Sequence, residues 1–114
     1  MPGPERGDGP RWLDVCRHRI RGEPAPYVVV LQHHLVAAAS RIVAPVLPAG
    51  GRDATLLAPR LHIGPVPHRI LLLEMSSVTR QFIGDVVSSA VAEADAIGDA
   101  LDALFRGYPV GLSR

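Results

Sequence analysis

The segment Leu61–Gly84, LHIGPVPHRILLLEMSSVTRQFIG, constrains the fold more than any other part of the chain. Apolar runs stand on either side of Gly64-Pro65-Val66-Pro67, and Gly and Pro so placed break regular structure and reverse the chain. The pattern predicts a hairpin pairing Arg60–Ile63 with His68–Met75. Within it, Ile70-Leu71-Leu72-Leu73 is apolar at every position, which predicts the most buried strand of the domain. Glu74-Met75-Ser76-Ser77-Val78 then reads as a turn leading toward a helix. An isolated hairpin is barely stable in water, so the rest of the sequence has to cover both of its faces.

That cover is legible in outline. Arg11–Cys16 sets Trp12 and Asp14 on one side and Leu13 and Val15 on the other, as a short strand does. Gly22–Pro26 is a turn, because Pro24 and Pro26 fix φ and remove donors. Tyr27–Gln32, YVVVLQ, is β-branched and apolar on both faces and predicts a strand covered on both sides. Leu35–Ser40 is Ala-rich and reads as one loose helical turn. Arg41–Leu47 returns to strand character, with Pro45 confining it to an edge or a bulge, and Pro48–Asp53 is a flexible loop.

Asp85–Phe105 is predicted as the one long helix. Ala90, Ala94, Ile97, Leu101 and Leu104 form its apolar stripe, with Ser88 or Ser89 capping its start. Asp95, Asp99 and Asp102 line another face, toward solvent or a partner. Gly98 inside a helix costs about 1 kcal/mol relative to Ala; it reads as close approach of another backbone, in this chain or in a second subunit. The sum is an α+β domain of about five antiparallel strands and one terminal helix. Residues 1–10, with three prolines and three glycines, read as a flexible leader, 11–108 as the domain and 109–114 as a C-terminal tail.

A chain of 114 residues with 47% apolar residues and a net charge of +1 suits one soluble globular domain. A dedicated nucleic-acid binder carries a basic excess or stripe, whereas the arginines here are scattered and lysine is absent. Cys16 is the only cysteine, which excludes an intramolecular disulfide and suits a reducing cytosol. The start, MPGPERGDGP, lacks the apolar core of a signal peptide. The apolar runs fall far short of the roughly 20 residues that span a membrane. A cytoplasmic protein without membrane association is expected.

Residue types that carry chemistry are present without the spacing that chemistry needs. His33 and His34 are adjacent, and on a strand they would point to opposite faces. Cys16 with His18 has no CxxC or HxxxH partner, so no metal site is read. Cys16 or Ser76-Ser77 with His62 or His68 would be a nucleophile and base, but no G-x-S-x-G elbow accompanies them. Neither a P-loop nor a G-x-G-x-x-G motif occurs, so no cofactor is expected. Arg106 follows Asp102 by four residues, at a helix end where a cation is favoured, and Gly107 is the natural residue to stop the helix.

From about Trp12 to Tyr108 the chain resembles the CcdB family. Trp12-Leu13-Asp14-Val15 is similar to the family's first strand and Tyr27–Gln32 to its second, followed by a loop with two apolar residues, here Leu35 and Val36. Arg41-Ile42-Val43-Ala44-Pro45 matches an Arg-apolar-Val-apolar-Pro strand. His62-Ile63-Gly64 and Met75-Ser76-Ser77-Val78 match the hairpin and a Met-Ala-Ser-Val turn, and Ile83-Gly84 the lead into the helix. Thr79 stands where the family usually has proline.

The resemblance implies an SH3-like bent antiparallel sheet with a long C-terminal helix, working as a homodimer. It implies the toxin of a type II toxin–antitoxin pair, of the kind used in plasmid maintenance, with no catalysis and no cofactor. Such toxins wedge into the dimer of DNA gyrase A subunits and trap the enzyme on cleaved DNA. A CcdA-type antitoxin releases the gyrase, and only the pair together binds operator DNA. Carried over by position, the gyrase-binding residues are Leu35, Val36, Asp102, Phe105, Arg106, Gly107 and Tyr108. Arg106 replaces the family's tryptophan, Tyr108 replaces its isoleucine, and the chain continues through Pro109–Arg114. Two alternatives stand beside this reading. One is a homologue that binds antitoxin without poisoning gyrase. The other is a Kid/MazF-type ribonuclease on the same fold, which needs a basic groove.

Overall fold

The computed structural model describes residues 9–20, 22, 24–36 and 38–107; most of the expected leader, Tyr108 and all of the expected tail lie outside them. Among the described residues seven strands form one antiparallel sheet: β1 (Asp14–His18), β2 (Tyr27–Val30), β3 (Ser40–Pro48), β4 (Arg60–Ile63), β5 (Val66–Ile70), β6 (Ser76–Thr79) and β7 (Ile83–Ser89). One α-helix, α1 (Ala94–Arg106), follows. The order is β4-β5-β3-β2-β1-β7, with β6 also paired to β3. The α+β class holds, with two more strands than expected.

β6 and β7 explain how the sheet bends. They are consecutive in the chain, yet β6 pairs with β3 and β7 with β1. The sheet therefore curls round until the two segments close over one of its faces. Period-two alternation along the central strands then fills both faces. Val15, Val29, Ala44 and Val46 join Ile97 and Ala100 of α1 in one core. Cys16, Val28, Val30 and Val43 join Val78 and Ile83 in the other. This double cover is what the apolar YVVV run of β2 demanded, and it places Cys16 as a small buried hydrophobe.

Register shifts on both sides of Cys16 bend β1 against β7. Gly84 sits at that bend for a steric reason: a Cβ there would lie 3.0 Å from the Arg17 carbonyl oxygen and 3.1 Å from the Arg17 Cβ.

The hairpin is tighter than the sequence suggested. Ile63 pairs with Val66, so the turn is Gly64-Pro65, with Gly64 at φ +60° as the first central residue of a two-residue turn favours. The run Ile70–Leu73 does not form one buried strand. After Ile70 the chain leaves the sheet for a 3-10 turn at Leu72–Glu74, burying Ile70 and Leu72 and exposing Leu73.

Pro45 is not at an edge: it pairs with Val28 in the middle of the sheet. Its carbonyl accepts from the Leu71 amide at 2.9 Å, and in an antiparallel ladder a residue's N and C=O point to the same neighbour. The position lacking a proton thus faces the gap between the β5 pairing of Val46–Pro48 and the β6 pairing of Ser40–Val43, where no ladder bond is lost.

The helix is shorter than expected. Residues 83–89 are strand, and a 3-10 turn at Val91–Glu93 precedes α1. The Ser89 hydroxyl accepts from the Val91 amide at 3.2 Å, so it caps that turn and not the α-helix. The chain is held there by the Ala90 amide donating to the Leu13 carbonyl at 2.8 Å. Leu13 itself is buried at φ +63°, a conformation costly for a bulky side chain. Its amide donates to Val30 at 2.7 Å, so one residue ties β2 to the start of the helical region. Of the expected stripe, Ile97 is buried, while Ala94 and Leu101 pack against the core beside Ala100. Among the described residues a Cβ on Gly98 would meet nothing within 4 Å, so none of their backbone approaches it. Among the described residues no helix is long and apolar enough to cross a membrane.

Candidate functional site

The loop after β2 and the end of α1 meet around one apolar cleft of about 480 Å3. The loop side contributes Leu31, Gln32, His33 and Val36, the helix Leu101 and Phe105, the sheet Ile42, and the end of the 3-10 turn Met75. Leu35 is 82% exposed, Val36 59% and Phe105 69%. Three large apolar side chains so exposed at one end of a small domain are the usual sign of a protein-binding surface.

The loop is not the loose helical turn expected of Leu35–Ser40; side chains pin it at both ends. Gln32 donates from Nε2 to the Val36 carbonyl at 2.7 Å, and its Oε1 accepts from the Ile42 amide at 3.3 Å. His33 Nδ1 accepts from the Leu35 amide at 3.1 Å, and the His33 carbonyl accepts from the Val36 amide at 2.9 Å. From the far end, Arg41 is 1% exposed. Its guanidinium donates to the Ala38 carbonyl, to the Ser40 carbonyl at 3.1 Å and to the Pro10 carbonyl at 3.4 Å. A guanidinium presents several donors in a fixed fork, so one side chain can hold several carbonyls. The sequence showed Gln32 and Arg41 only as motif positions. A polar residue directly after an apolar strand, and an arginine inside one, were the signals available.

His33 and His34 lie in this loop and not on a strand, and their rings stack at 4.2 Å instead of pointing apart. Trp12 lies against His33 at 5.6 Å, and Arg11 Nη2 contacts His34 Nε2 at 2.9 Å. No group of three potential metal ligands occurs among the described residues.

At the helix end, Gly107 adopts φ +77° and its amide donates to the Ala103 carbonyl at 3.1 Å, closing the helix in the left-handed conformation that glycine tolerates best. Arg106 lies 3.9 Å from the Asp102 carboxylate, with both side chains well exposed. Of the seven residues read from the sequence, the structure sets Val36 and Phe105 on the cleft, Leu35 on the same loop, and Asp102, Arg106 and Gly107 at the helix end beside it. Tyr108 lies outside the described residues.

A family model for the CcdB protein matches residues 13–107. The chain belongs to the CcdB family. At the level of the family it is a toxin of the toxin–antitoxin kind. The matched span runs from the left-handed Leu13 to the Gly107 that ends α1, so both halves of the cleft belong to the CcdB-type fold. No curated protein matches the chain.

Proposed function

We propose that this CcdB-family chain inhibits DNA gyrase by binding its A subunit and trapping the enzyme on cleaved DNA. The observation that supports this best is the convergence of the Leu35-Val36 loop and the Phe105 end of α1 on one apolar cleft. In this reading 11–108 is the toxin domain, acting as a cytoplasmic homodimer. Leu35, Val36, Asp102, Phe105, Arg106, Gly107 and Tyr108 make the gyrase contact. A CcdA-type antitoxin restrains the toxin, and operator DNA is bound only by the pair. Arg106 takes the position of the family's tryptophan; arginine is a frequent interface anchor because it stacks and hydrogen-bonds at once.

The reading is tested by measuring the affinity of the purified protein for the gyrase A dimer of its source organism. Saturable binding that weakens by about 30-fold or more with Phe105→Ala, the loss of one hot spot, is the expected result. No binding by a folded protein would contradict it. The Arg106–Asp102 pair supports a second reading, a homologue that binds its antitoxin without poisoning gyrase. Antitoxin binding without gyrase binding would select that one.

A further inference from the structure

Away from this surface, a second cleft of about 590 Å3 lies between the loop after β3 and the 3-10 turn that follows β5. Arg52 and Arg69 line it with Glu74, beside the apolar walls of Leu47, Ala49 and Leu71. We propose that this cleft is a docking site for an acidic peptide segment of a partner protein, whose carboxylate is taken by Arg52 and Arg69. The proposal does not rest on the gyrase reading.

Charge and hydrogen bonding support it. The Nε of Arg69 is buried and has no hydrogen-bond partner in the structure. A buried guanidinium N–H left unpaired is unfavourable, and an acceptor arriving with a ligand removes that cost. Arg60 stands directly opposite Arg69 across β4 and β5, an arrangement that repels in the absence of an anion. Among the described residues neither these two arginines nor Arg52 forms an ion pair. Within the cleft lining Arg52 and Arg69 outnumber the one carboxylate, Glu74, so its local field is positive.

The shape and lining select the class of anion. The volume suits a few side chains. Glu74 sets a negative charge at the cleft, which disfavours a polyanionic nucleic-acid backbone. Leu47 and Leu71 offer apolar contact to the residue next to a carboxylate, and a guanidinium matches a carboxylate with two parallel hydrogen bonds.

The test is NMR titration of the whole chain, following the Nε–H signal of Arg69. The probes are acetyl-Leu-Glu-Leu-Glu-amide, its Leu-Gln-Leu-Gln counterpart and inorganic phosphate. The acidic peptide is expected to shift the signal saturably, and the neutral peptide to bind about tenfold more weakly or less, for want of charge-assisted bonds. Arg52→Gln alters an exposed residue and keeps the fold; it is expected to weaken the acidic peptide by a similar factor. A signal that does not move, or binding untouched by Arg52→Gln, would overturn the proposal. Saturation by phosphate as tight as by the peptide would overturn the peptide assignment in favour of a small free anion.

Discussion

Val36, in the loop after β2, and Phe105, one residue before the end of α1, line the same apolar cleft although most of the chain separates them. The proposed contact surface is therefore built by tertiary structure, from two short segments that are unremarkable alone. Replacing either side chain should damage function without damaging the fold. Val36→Asp and Phe105→Ala are each expected to abolish growth arrest on expression. Their urea midpoints should stay near that of the parent, because substitutions at exposed positions usually change stability by within about 0.5 kcal/mol.

The Asp102–Arg106 pair is exposed and long, at 3.9 Å. Pairs of this kind contribute only about 0.3–0.5 kcal/mol. Arg106→Trp should accordingly leave thermal stability almost unchanged while restoring an aromatic anchor at the helix end. The expected outcome is stronger gyrase binding than that of the parent, measured by calorimetry. Equal or weaker binding would show that the arginine is matched to its target.

Loop order rests on Gln32 and Arg41. Gln32→Ala removes one bond to the Val36 carbonyl and one from the Ile42 amide and should cost about 1–3 kcal/mol. It should also raise amide hydrogen exchange between His33 and Ser40. Arg41→Lys keeps the charge but loses the fork that reaches the Ala38, Ser40 and Pro10 carbonyls. It should cost at least as much, since a lysine is not equivalent at a multidentate site. Denaturant unfolding measures both.

Two glycines should respond with opposite signs. Gly84→Ala drives a Cβ to within 3.0 Å of the Arg17 carbonyl and should destabilise by about 1–3 kcal/mol, as overpacking does. Gly98→Ala meets open space on an exposed helical turn and should stabilise by about 0.5–1 kcal/mol. Melting temperatures of the two variants test both assignments.

The parts of the fold legible in the sequence are those with strong burial contrast. β2 reads as a doubly covered strand because three consecutive valines serve two cores. The β4–β5 hairpin is announced by Gly64-Pro65, and the end of α1 by Gly107. β7 escaped because most of its residues are half-buried or exposed, so no alternation marks it, and Ser88-Ser89-Ala90 imitates a helix start. Pro45 misled for a different reason: whether a strand tolerates proline depends on which neighbour its nitrogen faces, and that is set by pairing. The apolar residues of the candidate site were visible as Leu35, Val36 and Phe105. The cleft that unites Val36 with Phe105, and the side chains pinning the loop, required the tertiary structure.

The central claim is tested most directly by supercoiled plasmid, ATP and gyrase from the source organism, with linear DNA quantified as purified protein is added. The account predicts that linear DNA accumulates with the parent and is lost with Val36→Asp and with Phe105→Ala, all three folded to the same degree. No linear DNA at saturating parent protein, or equal cleavage by both variants, would contradict it.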